Sequence, residues 1–244
     1  MSEITVLLAD DHTIVREGLR LLIDTTRDIK VVGEAQDGRE AVRLVEELQP
    51  AVVVMDLVMP QLNGVEAARQ ILRARPATKV LVLSSYKDEE KLAALIAYGI
   101  SGYLVKHTAS ADLLRAIREA SEGRSFFSDC ISKNMLERCR ATSMVGKPKR
   151  GGALHLTSRE AEVLQLIAEG HSNKEIGAIL NLSFKTVEKH RQLLMDKLNI
   201  HETAGLTRYA MACGAVERPV HLECSRLGQL TQGRPARMKS DAPN

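Results

Sequence analysis

Residues 51–64 read AVVVMDLVMPQLNG: an unbroken apolar run from Ala51 to Met55, a carboxylate at Asp56, then Met59-Pro60 and a closing Asn63-Gly64. Continuous rather than alternating apolar character marks a strand covered on both faces. The pattern recurs on either side. Residues 4–9, 31–32, 80–83 and 103–105 are further short apolar runs, and helical periodicity fills about 13–24, 38–48, 64–74, 88–98 and 109–122 between them. Strands alternating with helices require right-handed crossovers and a parallel sheet with helices on both sides. Residues 1–122 are therefore expected to form a five-stranded α/β domain.

Ligands of such sheets bind beyond the carboxyl ends of the strands. The residues there are Asp10 and Asp11 after the first run, Asp56 after the third, Ser84 after the fourth and Lys106 after the fifth. One carboxylate at a strand end commonly caps a helix, but three acids with a serine and a lysine on one rim require another account. Clustered carboxylates repel and raise one another's pKa, so the cluster calls for a cation. Mg²⁺ takes oxygen ligands and keeps several waters, which suits acids, a backbone carbonyl and an incoming phosphoryl group. Asp56 is then available as a carboxylate nucleophile, with Lys106 to neutralise the transferred group and Ser84 to hydrogen-bond one of its oxygens.

These residues, with Met59-Pro60, Asn63-Gly64 and the run Gly102-Tyr103-Leu104-Val105-Lys106, resemble a response-regulator receiver domain. The resemblance implies a flavodoxin-like fold in which Asp56 is the phosphoacceptor. It further implies that Asp10, Asp11, Asp56 and the Val58 carbonyl organise Mg²⁺, and that the Tyr103 ring follows Ser84 as a switch. Many receivers place proline after the lysine, whereas this chain has His107, which excludes a cis-proline there.

Beyond Gly123 the strand pattern ends. Residues 123–152 are expected to be a linker, first a helix carrying Ile131, Met135 and Leu136, then a flexible hinge from Gly146 through Pro148 to Gly152. A wholly helical pattern follows over 153–216. Thr157-x-x-Glu160 and Ser172-x-x-Glu175 fit capping boxes and mark two helix starts. After the break Asn181-Leu182-Ser183, a third helix over 184–198 is apolar in its later half, at Leu194 and Leu198, and basic in its early half. A fourth helix is expected from about Glu202 to Cys213. A helix, tight turn and second helix is the arrangement that enters the major groove of DNA.

Leu156-Thr157-Ser158-Arg159-Glu160, Gly170, Asn173-Lys174-Glu175-Ile176, Thr186-Val187, His190 and Lys197-Leu198 resemble the LuxR-type, or NarL/FixJ-type, four-helix DNA-binding domain. The resemblance implies that the third helix reads bases and the fourth supports dimerisation. Groove contacts are expected from Lys185, Val187, Lys189 and Arg191, and phosphate contacts from Asn173, Lys174, His190 and Lys197, with packing the alternative role for His190; Thr186 is a further expected DNA-binding residue.

Charge follows this division. Residues 1–145 hold 19 Lys and Arg against 21 Asp and Glu, whereas 146–244 hold 15 against 10, a basic excess suited to an anionic partner. Cys130, Cys139, Cys213 and Cys224 lack metal or redox spacing. With no signal segment or membrane-length apolar run, a cytoplasmic protein is expected. Residues 217–244, with three prolines and no aromatic, are expected to be a disordered tail. Taken together, the two resemblances imply a DNA-binding transcription regulator, not an enzyme. Its implied partners are a sensor histidine kinase, double-stranded promoter DNA and a second phosphorylated copy, with RNA polymerase a further candidate. A Mg²⁺-dependent phosphatase is the rival enzyme class, but its nucleophile is expected in an Asp-x-Asp arrangement after the first strand, where this chain has adjacent Asp10 and Asp11. A helical module binding RNA or protein is the other rival, separable by comparing duplex DNA with RNA.

Overall fold

The computed structural model of the chain describes residues 3–85, 89–106, 110–128, 131 and 156–216. His107, the hinge, Met135 and Leu136 of the expected linker helix, and the tail beyond residue 216 lie outside the described residues.

The first domain alternates as expected: β1 (Ile4–Ala9), α1 (Thr13–Asp24), β2 (Ile29–Ala35), α2 (Gly38–Leu48), β3 (Val52–Met55), α3 (Gly64–Ala74), β4 (Lys79–Ser84), α4 (Glu89–Tyr98), β5 (Gly102–Val105) and α5 (Ser110–Ser121). With a further strand, β6 (Phe126–Phe127), all strand pairs are parallel and the order is β2-β1-β3-β4-β5-β6. Both faces of the sheet are buried, which explains the unbroken apolar runs. Leu7, Val53, Met55 and Val82 pack with Val45, Ile71 and Leu95 of α2, α3 and α4 on one side. Val6, Leu8, Val54 and Leu83 pack with Ile23, Leu113 and Ile117 of α1 and α5 on the other. At about 1.5–3 kcal/mol for each fully buried aliphatic side chain, these two layers dominate the domain's stability.

The sixth strand, β6 (Phe126–Phe127), corrects the expectation of five strands and of a linker beginning at residue 123. It pairs with Gly102 and Tyr103 of β5. Only glycine permits this approach, because a Cβ on Gly102 would collide with the Phe126 carbonyl oxygen. The Arg115 guanidinium lies 5.5 Å from the Phe126 ring centroid and covers the edge.

The second domain contains α6 (Ser158–Ala168), α7 (Asn173–Leu180), α8 (Phe184–Leu198) and α9 (Thr203–Ala212). Both expected capping boxes are formed, Thr157 with Glu160 and Ser172 with Glu175. Asn181 and Asn199 end α7 and α8 in the left-handed conformation, the short-side-chain solution for a tight stop. Leu164, Leu166, Ile176, Leu180, Leu194, Leu198 and Leu206 form its core.

Candidate functional site

The strand order reverses direction between β1 and β3, and the crevice beyond their carboxyl ends holds the acids. Each is fixed to the sheet by its own backbone: Asp10 N–H donates to the Ala35 carbonyl at 3.1 Å, Asp56 N–H to Ala9 at 2.8 Å and Lys106 N–H to Ser84 at 2.8 Å. The side chains therefore converge. Lys106 Nζ lies 2.7 Å from Asp10 Oδ2 and 2.7 Å from Asp56 Oδ2. Asp56 Oδ1 accepts from the Leu57 N–H at 2.7 Å and Asp10 Oδ1 from the His12 N–H at 2.9 Å.

Burial pushes the Asp56 carboxyl above its ordinary range against the pull of Lys106. Burial also disfavours the Lys106 charge, but the hydrogen bonds to Asp10 and Asp56 outweigh it and hold the ammonium above its usual value. The site is thus a charged pair of acids bridged by one cation, with Asp11 at its exposed lip.

Asp10, Asp11, His12 and Asp56 each offer one ligand atom, all within 4.8 Å of one another. Hard oxygen donors at this spacing fit a divalent ion such as Mg²⁺. His12 was absent from the expected set. Its Nδ1 lies 2.8 Å from Asp11 Oδ1, and that carboxylate raises the imidazole's pKa. Ser84 and Tyr103 are both buried, and Val58, next to the buried Leu57, is half-buried.

The loop from Asp56 to α3 is tightly folded. Gly64 N–H donates to the Leu57 carbonyl at 2.8 Å, and a Cβ on Gly64 would strike the Asp56 carbonyl oxygen, so the Asn63-Gly64 pair is a steric requirement of the site. The Asn63 side chain caps α3 by accepting from the Glu66 N–H at 3.0 Å.

In the second domain the expected DNA-facing residues divide. Lys174, Lys185 and Lys189 are exposed. Glu188 and Gln192, not anticipated, share the exposed side of α8 with Lys185 and Lys189. Val187 corrects the expectation of a groove contact: it is 0% exposed and packs in the core with Leu194, so no base can reach it. Arg191 is held inside its own domain, donating to Asn173 Oδ1 at 3.2 Å and to Thr203 Oγ1 at 2.5 Å. Lys197 Nζ lies 2.8 Å from Glu160 Oε2. Burial resists the Glu160 charge, yet Lys197 and the Thr157 N–H hold its carboxyl below the ordinary range. Thr186 bonds the Ser183 hydroxyl at 2.8 Å at the start of α8, and His190 is half-buried.

Comparison with known proteins gives the same division. The response regulator receiver domain matches residues 6–118, and the luxR family of bacterial regulatory proteins matches residues 154–210. The transcriptional regulatory protein LiaR of Bacillus subtilis is 41% identical over 207 residues, covering 85% of this chain and 96% of LiaR. This chain belongs to the NarL/FixJ family of response regulators. The response regulator VraR of Staphylococcus aureus is 35% identical over the same coverage. Among solved structures, RcsB of Salmonella typhimurium matches 87% of this chain and 98% of its own with 27% identity and a TM-score of 0.55. RcsB of Salmonella enterica serovar Typhimurium bound to promoter rprA with phosphomimetic BeF3⁻ matches 85% and 98%, at 27% identity and a TM-score of 0.53. As a family member the response regulator joins a receiver to a DNA-binding output. No helix among its described residues is long and apolar enough to cross a membrane.

Proposed function

We propose that this response regulator is phosphorylated on Asp56 by a sensor histidine kinase in the cytoplasm, and that the modified chain pairs and binds promoter DNA. The observation that carries the first step is Lys106 bridging Asp10 and Asp56 at 2.7 Å each in the crevice beyond β1 and β3. One Asp56 carboxylate oxygen attacks phosphorus as the bond to the donor breaks, giving an acyl phosphate. Asp10, Asp11 and Asp56 with the Val58 carbonyl would hold Mg²⁺, which supplies neutralisation of phosphoryl charge when bound. Lys106 pairs with a phosphoryl oxygen, Ser84 donates its hydroxyl to another, and Tyr103, a buried residue of β5, follows Ser84.

On the DNA side Lys185 and Lys189 reach the groove while Lys174 and His190 meet phosphates. Asn173, Arg191 and Lys197 act as positioning residues that set α8 against α7, α9 and α6, and Thr186 helps to fix the start of α8 through Ser183, in keeping with their bonds inside the domain. Two paired chains present two such domains to two half-sites, so the second contact is intramolecular and affinity rises without new base contacts. Incubation with acetyl phosphate and Mg²⁺, followed by peptide mass analysis, tests the first step. One phosphoryl group on Asp56, absent after chelation and in Asp56→Asn, is expected; a modification elsewhere overturns it.

A further inference from the structure

His12 stands at the N-cap of α1, directly after Asp10 and Asp11, yet its side chain makes no capping hydrogen bond. Serine, threonine, aspartate and asparagine are the residues that satisfy a helix start from this position. The imidazole is turned toward the acids instead. Its Nδ1 lies 2.8 Å from Asp11 Oδ1 and 3.3 Å from Asp10 Oδ1. Lys106 holds Oδ2 of Asp10, so the ring and the ammonium address different oxygens of that carboxylate.

These separations are those of donors around one metal ion. Nitrogen and oxygen ligands about 2.0–2.2 Å from zinc stand roughly 3.3–3.6 Å apart in a tetrahedron and about 2.8–3.1 Å apart at right angles. Both distances from His12 already match such edges. Over the whole group of Asp10, Asp11, His12 and Asp56 the ligand atoms lie within 4.8 Å of one another. The excess can be closed from one side, because Asp10 and Asp56 are buried whereas Asp11 and His12 are exposed on the lip. Charge also fits: the three carboxylates exceed the Lys106 ammonium by two, which one divalent ion balances.

We infer that His12 Nδ1 is a further donor of this cation site and turns it toward Zn²⁺, which then acts as a brake on phosphorylation. The brake rests on Asp56 being the phosphoacceptor. Mg²⁺ takes oxygen donors and keeps several waters, so an imidazole adds little to its binding. Zinc takes imidazole nitrogen readily and is satisfied by four donors. With Asp10, Asp11, His12 and Asp56 around it, a tetrahedral ion has no open position for a phosphoryl oxygen, and the Asp56 carboxylate serves as ligand rather than nucleophile. The two ions compete for the same acids, so excess Mg²⁺ releases the brake.

The test uses the full chain with Zn²⁺ and Mg²⁺ as the probes. Zn²⁺ affinity is read by competition with a chromogenic chelator and Mg²⁺ affinity by calorimetric titration. His12→Ala should lower the ratio of Zn²⁺ to Mg²⁺ affinity by about ten-fold or more, since even groups that only support a metal ligand typically cost about 10–100-fold when removed. His12→Asn, a good N-cap without an imidazole, should do the same, which keeps the test sound if alanine unsettles α1. X-ray absorption of the protein with one zinc bound should show an imidazole in the zinc shell that both variants lack. At fixed Mg²⁺, stoichiometric Zn²⁺ should slow phosphoryl incorporation from acetyl phosphate, followed by intact mass. Excess Mg²⁺ should restore the rate, and each variant should need about ten-fold more Zn²⁺ for the same slowing. An unchanged affinity ratio in both variants, an imidazole signal that persists in them, or slowing that Mg²⁺ does not reverse overturns the inference alone. Absence of any modification at Asp56 in the unsubstituted chain with Mg²⁺ alone overturns the phosphoacceptor reading and the brake with it, while the affinity ratio and the absorption spectrum still decide whether His12 is a ligand.

Discussion

Gln165 of α6 holds Asn63 twice, its amide oxygen accepting from the Asn63 backbone N–H at 2.8 Å and from the Asn63 side chain at 3.1 Å. Asn63 simultaneously caps α3 by accepting from Glu66. One residue thus ends the phosphorylation loop, starts a receiver helix and carries the contact between domains. Asn63→Ala should destabilise the receiver by about 1 kcal/mol through the lost cap, and also leave part of the buried Gln165 amide unpaired. Urea unfolding with separate probes on each domain should show the receiver midpoint falling. An unchanged midpoint would show that the cap contributes nothing measurable.

Mg²⁺ should raise the melting temperature of the full chain, since an ion bound only to the folded state stabilises it by mass action, about 2.7 kcal/mol at a hundred-fold excess over Kd. Asp11 forms the exposed lip of the acid cluster, so Asp11→Asn should keep the fold while losing most of the Mg²⁺-dependent shift. Differential scanning fluorimetry with and without EDTA reads this directly. An equal shift in Asp11→Asn would remove that residue from the cation site.

Val187 and Lys189 lie two residues apart on α8 and should fail in opposite ways. Val187→Ala removes two buried carbons at ~0.8 kcal/mol each and leaves a cavity, so it should cost about 1.5–3 kcal/mol of stability. Lys189→Ala should leave the melting temperature alone and weaken DNA binding, by about 1–3 kcal/mol if it reads a base edge. Melting curves beside binding titrations against duplex DNA separate the two. Loss of DNA affinity in a fully stable Val187→Ala protein would contradict the buried placement.

Much of this architecture is legible in the sequence because burial on both sheet faces writes itself as unbroken apolar runs. The bounds of α1, α2, α3 and α8 fall where periodicity places them. The rim of Asp10, Asp11, Asp56, Ser84 and Lys106 follows from strand ends alone. What escapes is short or relational. β6 is two residues long and depends on the missing side chain of Gly102. His12 acquires meaning only when the loop after β1 folds its ring onto Asp11. Val187 reads as part of a basic helix end, yet it sits seven residues before Leu194 on the same inward stripe. Glu162, Gln165 and Glu169 look like the solvated side of an amphipathic helix, since nothing local reveals partners about a hundred residues away.

Glu169, which accepts from the Gln61 N–H of the first domain at 3.0 Å, gives the seam between the two domains a pH dependence. Burial pushes its carboxyl above the ordinary range, against the pull of the Gln165 amide, the Gln61 N–H and His171, while Asp37 pushes it further up. The docked state therefore binds this proton more readily than an undocked state in which Glu169 is solvated. Stabilisation of the seam by protonation is fully present below the ordinary glutamate value and is lost as pH rises through the raised one. The charged groups facing the site are Asp37, whose Oδ2 accepts from the Gln61 side chain at 3.3 Å, and His171, whose Nε2 lies 3.7 Å from Glu169 Oε2. The comparison is made in a His171→Asn background, which removes the imidazole from the site. Small-angle scattering from about pH 5 to pH 8 should show the chain expanding as pH rises. Glu169→Gln keeps an acceptor oxygen for the Gln61 N–H but carries no charge, so it should remain compact across the range. Expansion of Glu169→Gln in step with the parent would mean that another group governs the seam.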